Sequence, residues 1–326
     1  MNFDEKLIRE TVFGITRVTV EHGYYCFHRY AEAQERFYEF SNWDFFRKCY
    51  ATAGVRFDFY TDSTEFSFDF ELHSASSRRF YYFDVFVDGR YLTQFGEESP
   101  SSAQSRFCVK LPEGEKRVTV WFPCMYAAFV KNVCADGSFV KPAVFDKTLL
   151  AIGDSITHGY DAHLSSNAYP AILARTLGIN VINQGIGGDV YHEGNIGEGL
   201  GFLPDFITVL LGTNDWAGRK RDRFTESVEN YYALLDKYYP GVPKLVITPL
   251  WRGDCKRLTS VGRFSDAADV ITREAKSYPG VSVVDGMKLI DHDDGLFSPD
   301  VLHPNDKGFE NFASNLCPVF KKVFGL

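Results

Sequence analysis

An α/β architecture preceded by an all-β domain is what this sequence predicts: a β-sandwich or jelly roll over residues 1–145, then a three-layer α/β domain with a five-stranded parallel sheet over residues 146–326. Three observations lead there. The 326 residues exceed one core of ordinary size and suit two domains of roughly 100 to 200 residues each. Aromatic residues are unequally shared, with 33 of the 52 lying before Asp146. Close to the same point the apolar period changes from two residues to three or four.

In the first half, Val55, Phe57 and Phe59, then Phe66, Phe68, Phe70 and Leu72, occupy alternate positions, and Arg56, Asp58, Ser67, Asp69 and Glu71 fill the gaps. That is the period of a half-buried strand. Thr61, Asp62 and Ser63 form the turn between the two runs. Phe83, Val85 and Val87 alternate up to Asp88-Gly89, a dipeptide that tolerates positive φ and suits a tight hairpin, with Tyr91 on the return strand. Phe107 to Leu111, the turn Pro112-Glu113-Gly114-Glu115, and Val118, Val120 and Phe122 repeat the scheme. Short strands at this spacing predict an antiparallel sandwich. Its aromatics are expected to fill the space between the sheets rather than to stack on sugar rings.

From Asp146 the strands become continuous apolar runs: Leu149 to Ile152, Val181 to Asn183, Phe206 to Leu211, Leu245 to Thr248 and Val281 to Val284. Runs of this kind belong to parallel sheets buried on both faces. Helical faces lie between them: Phe224, Val228, Tyr231, Tyr232, Leu235 and Tyr239; Ala267, Val270, Ile271 and Ala275; and Phe309, Phe312, Leu316 and Phe320. Pro318 is expected to shorten or kink the last helix.

Composition narrows the function classes. A formal charge of -8 supplies no basic surface for nucleic acid or anionic lipid. The amino terminus lacks the apolar stretch of about 7 to 15 residues of a secretory signal, and no later run reaches the roughly 18 of a membrane helix. Read as a native start, it predicts a cytoplasmic protein without a membrane partner. Seven cysteines without a C-x-x-C pair are expected to be reduced packing residues.

In open α/β sheets reactive groups collect beyond the carboxyl ends of the strands. Four segments fall there: Gly153-Asp154-Ser155-Ile156-Thr157, Asn183-Gln184-Gly185-Ile186-Gly187-Gly188-Asp189, Gly212-Thr213-Asn214-Asp215, and Asp300-Val301-Leu302-His303-Pro304. A serine hydroxyl needs a base, a partner that orients the base, and donors for the oxyanion. This rim offers Ser155 as nucleophile, His303 as base, Asp300 to hold the imidazole, and an oxyanion hole from the Ser155 and Gly188 N–H groups and the Asn214 amide. Asp154 and Asp215 are expected to brace loops. Trp251 and Arg252, after the fourth strand, are candidate lining for a substrate pocket.

These four segments, in this order, resemble the four sequence blocks of the SGNH, or GDSL-type, hydrolases. The resemblance covers roughly the last 180 residues. It implies a flavodoxin-like sheet of order 2-1-3-4-5, the roles just given for Ser155, Gly188, Asn214, Asp300 and His303, and neither metal nor organic cofactor. Ser155 is followed by isoleucine where the family name has leucine. An aromatic-rich sandwich before such a domain resembles the two-domain members, including carbohydrate O-acetyl esterases.

The glycines at 185, 187 and 188 do not make a dinucleotide loop, because Val190 stands where the third glycine would. Asp291-His292-Asp293-Asp294 lacks the oxygen spacing of a calcium loop, and His158, His163, His192 and His292 lack metal-ligand spacing. The expected activity is hydrolysis of a short acyl ester, acetyl on a saccharide, through an acyl-enzyme at Ser155. Transfer of the acyl group to an alcohol or from a thioester is the alternative at the same site. A carbohydrate-binding protein without catalysis is the alternative of another class. Assembly into a homo-oligomer is left open.

Overall fold

The structure, a computed structural model, describes residues 1–326. Two antiparallel sheets face each other in the amino-terminal half. One has the spatial order Val12–Phe13, Arg56–Thr61, Lys116–Trp121, Tyr81–Val87, Arg90–Glu97, and Val140–Pro142 also pairs with Arg56–Thr61. The other has the order Arg17–Glu21, Tyr24–His28, Tyr126–Ala135, Glu65–Ser74, Gln104–Lys110. Phe57, Phe59, Phe66, Phe68, Phe70, Phe83, Phe107 and Phe122 are fully buried in the core between them. Phe68 stacks on Phe107 with ring centroids 4.6 Å apart and meets Phe83 edge-on at 5.4 Å. The aromatic load is filling. Asp88 and Gly89 adopt φ of 49° and 75°, as the tight hairpin joining Tyr81–Val87 to Arg90–Glu97 requires.

Two features of this half depart from the alternating pattern. Arg56 and Asp58 are as buried as Phe57, because the outer face of their strand lies against the second domain instead of water. Arg117 closes on Asp58 at 2.7 and 2.8 Å, and the neighbouring Asp84 accepts the Ser166 N–H across the domain seam at 2.7 Å. The half is also not purely β, since Glu5–Thr11, Glu32–Ser41 and Trp43–Cys49 are helices.

The second domain holds a parallel sheet in the order Asn180–Gly185, Thr148–Gly153, Phe206–Leu210, Lys244–Ile247, Val281–Val284, which is 2-1-3-4-5 in its own strand numbering. Along Thr148–Gly153 alternate side chains go to opposite layers. Leu149 and Ala151 join a core of 56 residues that includes the helices Tyr169–Leu177 and Asp306–Phe324 and runs on into the sandwich. Leu150 and Ile152 join a second core of 23 residues with the helices Arg221–Tyr238 and Phe264–Ala275. Val281–Val284, one of the two edge strands, is only half-buried, unlike the four others.

Pro318 neither ends nor shortens its helix, which runs on to Phe324. Both Pro318 and Ser314, the residue whose carbonyl loses its partner, lie on the exposed face, where water can take that carbonyl. All seven cysteines are free; Cys26, Cys49 and Cys124 are buried. No helix is long and apolar enough to cross a membrane.

Candidate active site

Ser155 begins the short helix Ser155–His158 immediately after the first parallel strand. Asp154 caps that helix by accepting the Ile156 N–H at 3.0 Å, and burial pushes its carboxyl up to about 7. The Ser155 N–H, at the first position of the helix, has no protein acceptor. Ser155 Oγ lies 2.8 Å from His303 Nε2, although 148 residues separate them.

On the other side of the ring, His303 Nδ1 is 2.6 Å from Asp300 Oδ2, while Asp300 Oδ1 accepts the Leu302 and His303 N–H groups at 2.9 and 3.0 Å. Partial burial acts to raise the Asp300 carboxyl, but the hydrogen bonds from the His303 ring and from these N–H groups outweigh it and hold the carboxyl well below the usual range. A carboxylate that always accepts fixes the proton on Nδ1, and Nε2 is left free to take the serine proton. Val301, between the two residues, has φ 48°, a left-handed conformation rare for a β-branched side chain. Its neighbours hold it there: Val301 N–H donates to Ser298 O and Val301 O accepts the Gly253 N–H, both at 2.8 Å.

The groups expected to hold an oxyanion come from the loop after the second parallel strand and the helix Thr213–Gly218 after the third. Gly188 has φ 91° and an N–H without a protein acceptor. Asn214 donates through Nδ2 to Asp189 O at 2.9 Å, which ties its helix to the residue following Gly188 and leaves the second amide proton free. Asp215 accepts the Tyr191 N–H at 3.2 Å, and burial pushes it up to about 7. Like Asp154, it braces a loop.

Residues 151–310 match the GDSL-like lipase/acylhydrolase family. That segment, most of the second domain, belongs to that family. As a GDSL-type hydrolase the chain acts in acyl-ester hydrolysis or transfer. Solved structures resemble it over more than four fifths of its length. A salicylyl-acyltransferase from a tetracycline biosynthetic pathway is 21% identical, with a TM-score of 0.83 over 96% of this chain and 94% of that one. A family two carbohydrate esterase from Clostridium thermocellum, in complex with cellohexaose, is 18% identical with a TM-score of 0.66, covering 84% and 94%. An acetyl xylan esterase from the rumen bacterium Butyrivibrio proteoclasticus is 18% identical with a TM-score of 0.61, covering 83% and 90%. No curated protein matches the sequence.

The sandwich half of this GDSL-type hydrolase supports the oxyanion loop directly. Fully buried Arg29 donates to the carbonyls of Asn183 and Gly185, and Lys48 Nζ donates to Gly187 O at 2.8 Å. Tyr38 OH donates to Asp189 Oδ2 at 2.9 Å, and Gln34 Nε2 to Asn195 O at 2.7 Å. His158, from the α/β half, is a fifth brace: its Nδ1 accepts the Gly187 N–H at 3.3 Å and its Nε2 meets Cys124 O at 2.8 Å. Burial drives that imidazole far below its ordinary range, so it stays neutral. The motif blocks carry no signal for Arg29, Lys48 or His158, because each acts on a loop distant in sequence.

The lining expected of Arg252 is not what its guanidinium provides. Arg252 is buried, pairs with Asp254 at 2.5 Å and donates to Thr213 Oγ1 at 3.0 Å, so its guanidinium braces the helix that carries Asn214. Trp251 stacks on His292 at 5.2 Å and packs against Phe297 at 5.1 Å. The wall over the oxyanion loop comes instead from Phe45, whose ring carbons lie 3.5 and 3.8 Å from the position a Cβ on Gly188 would take.

A cavity of about 860 Å³ lies between the helix Phe264–Ala275 and the strand Val281–Val284, and Ser155 and His303 do not line it. Asp161, Asp300 and His303 gather ligand-type atoms within 4.8 Å of one another, but Arg78 already places a cation there, paired with Asp161.

Proposed function

We propose that this chain is a serine esterase that removes short acyl groups, acetyl above all, from a carbohydrate through an acyl-enzyme at Ser155. The observation that carries the reading is the continuous relay from Ser155 Oγ through the His303 ring to Asp300, at 2.8 and 2.6 Å, beside two N–H groups without acceptors.

Ser155 Oγ attacks the ester carbonyl as His303 Nε2 takes the hydroxyl proton, and Asp300 balances the imidazolium. The carbonyl oxygen gains the negative charge and is held by the Ser155 and Gly188 N–H groups and the Asn214 amide. When the carbon–oxygen bond to the alcohol breaks, His303 returns the proton to the leaving oxygen. Water, deprotonated by the same imidazole, then adds to the acyl-serine and releases the acid.

The preference for a short acyl group rests on Phe45, which stands over the Gly188 donor and is backed by Tyr38 at 6.1 Å and Lys48 at 5.3 Å. Truncation by Phe45→Ala is expected to raise the octanoate-to-acetate ratio of kcat/KM about tenfold, the scale of one or two methylenes in an apolar pocket. An unchanged chain-length profile on nitrophenyl esters would place the acyl wall elsewhere.

Support for a carbohydrate leaving group comes from the two-domain likeness to carbohydrate esterases. The test is a substrate panel of acetylated xylo-oligosaccharides, nitrophenyl esters of increasing chain length, and acyl-CoA with sugar and polyol acceptors. Release of acetate from the oligosaccharides at the highest kcat/KM is the expected result. Acyl transfer to an added alcohol outrunning hydrolysis would favour the transferase reading, with the alcohol in the place of water.

A further inference from the structure

We propose that Arg78, on the sandwich loop between Ser74 and Tyr81, is a positioning residue of the α/β site: it cancels the charge of a second carboxylate, Asp161, beside the His303 ring. Asp300 then acts alone as partner of the base. The inference rests on the assignment of His303 as that base.

The ring faces two acids. Asp300 Oδ2 is 2.6 Å from His303 Nδ1, and Asp161 Oδ2 stands 3.7 Å from the same nitrogen. Asp161 is held toward the ring by a left-handed backbone, φ 65°, in the turn after the Ser155–His158 helix. Nδ1 carries one proton, so two free carboxylates would compete for it. Their combined charge would also favour an imidazolium already formed before substrate arrives, and a protonated imidazole cannot accept the serine proton.

Arg78 removes this conflict. Its Nε and Nη2 take both Asp161 oxygens, at 2.5 and 2.7 Å, in the paired geometry that a guanidinium offers and an ammonium does not. The same Nη2 lies 3.8 Å from Asp300 Oδ2, so one cation spans both acids. Its plane covers the Tyr160 ring at 5.2 Å, and that ring lies 5.5 Å from the His303 ring. Hydrogen bonding to Asp161 raises the guanidinium further above its ordinary value.

The remaining groups around the imidazole do not replace this charge. Ser155 and Tyr160 are neutral hydroxyls, and His158, 5.2 Å behind Tyr160, is a buried neutral ring. Asp306, at the start of the last helix, is turned to the Leu164 N–H at 3.1 Å. His163 is paired with Glu98 at 3.1 Å. The sandwich thus contributes charge as well as scaffold to the site.

The test compares wild type with Arg78→Met, Asp161→Asn, the double variant and Arg78→Lys. The His303 ring is followed by NMR in protein labelled at histidine and assigned with His303→Gln, alongside the pH profile of kcat/KM on an acetate ester. In Arg78→Met the ring midpoint and the acid limb are expected to move up together by about one pH unit, a tenfold change in proton affinity. Activity near neutral pH falls through kcat with KM nearly constant. The double variant returns both to the wild-type position, and Arg78→Lys restores them only in part.

A fixed midpoint in Arg78→Met, or a double variant no different from Arg78→Met, would overturn the proposal and leave Arg78 as a contact between domains. The NMR midpoint does not depend on turnover. A midpoint that moves as described in Arg78→Met, together with a wild-type chain that has no esterase activity, would therefore support the electrostatic role while removing the esterase reading.

Discussion

Ser155→Ala is expected to lower kcat on an activated acetate ester by roughly 10⁵ to 10⁶ while leaving the fold intact. The side chain lies at the rim, and its one hydrogen bond is to His303 Nε2. Losing that bond costs about 1 kcal/mol of stability, far less than the chemical barrier regained without a nucleophile. His303→Ala is expected to fall by a similar factor. The double variant should be no worse than either single one, because hydroxyl and imidazole work as a unit. Steady-state rates with thermal melting check this. Additive losses, or a Ser155→Ala chain with near-native rates, would show that the relay is not the machinery.

Asp300→Asn carries the second large effect, a fall in kcat of roughly 10³ to 10⁴. An amide keeps the shape of the carboxylate, and its oxygen can still accept the Leu302 and His303 N–H groups. Its NH₂ then faces Nδ1, donates to it and moves the ring proton to Nε2, where it opposes the Ser155 hydroxyl. KM is expected to change little. There is a stability signature too. The folded-state carboxyl of Asp300 is depressed relative to an unfolded value near 3.9, so the stability it contributes is present above that pH and is lost as pH falls through the folded value. Wild type should accordingly exceed Asp300→Asn in urea midpoint at pH 7, and the gap should close in acid below about pH 4. A gap that persists unchanged in strong acid would show that the charge of Asp300 is not its source.

The residues of the relay were legible because their signals are local. Ser155, Gly188 and Asn214 sit in short blocks directly after strands, Asp300 and His303 in a block just before the last helix, and the strand order brings those blocks to one rim. Sandwich strands such as Glu65–Ser74 were legible for the same reason: Phe66, Phe68 and Phe70 keep a strict period of two.

What escaped the sequence acts across distance. Arg78 meets Asp161 over 83 residues, Lys48 meets Gly187 over 139, and nothing in either local segment announces its target. Arg56 and Asp58 looked solvent-facing because alternation records which residues differ from their neighbours, not whether a second domain covers the polar side. The helix Glu32–Ser41 did carry a signal that the aromatic content of its surroundings masked. Gln34 caps the Ala31 N–H at 2.9 Å, and Gln34 and Tyr38, one turn apart, are both fully buried. Arg252 shows the opposite failure: a rim position suggested pocket lining, but a buried guanidinium beside Asp254 and Thr213 is committed to structure.

The central claim, that Ser155 is the atom donor to a covalent acyl-enzyme, is tested most directly by labelling with a fluorophosphonate and mapping the adduct by peptide mass spectrometry. One adduct per chain on the peptide containing Ser155, absent from both Ser155→Ala and His303→Ala, is the predicted result. An adduct on a different residue, or labelling that survives Ser155→Ala, would contradict the account.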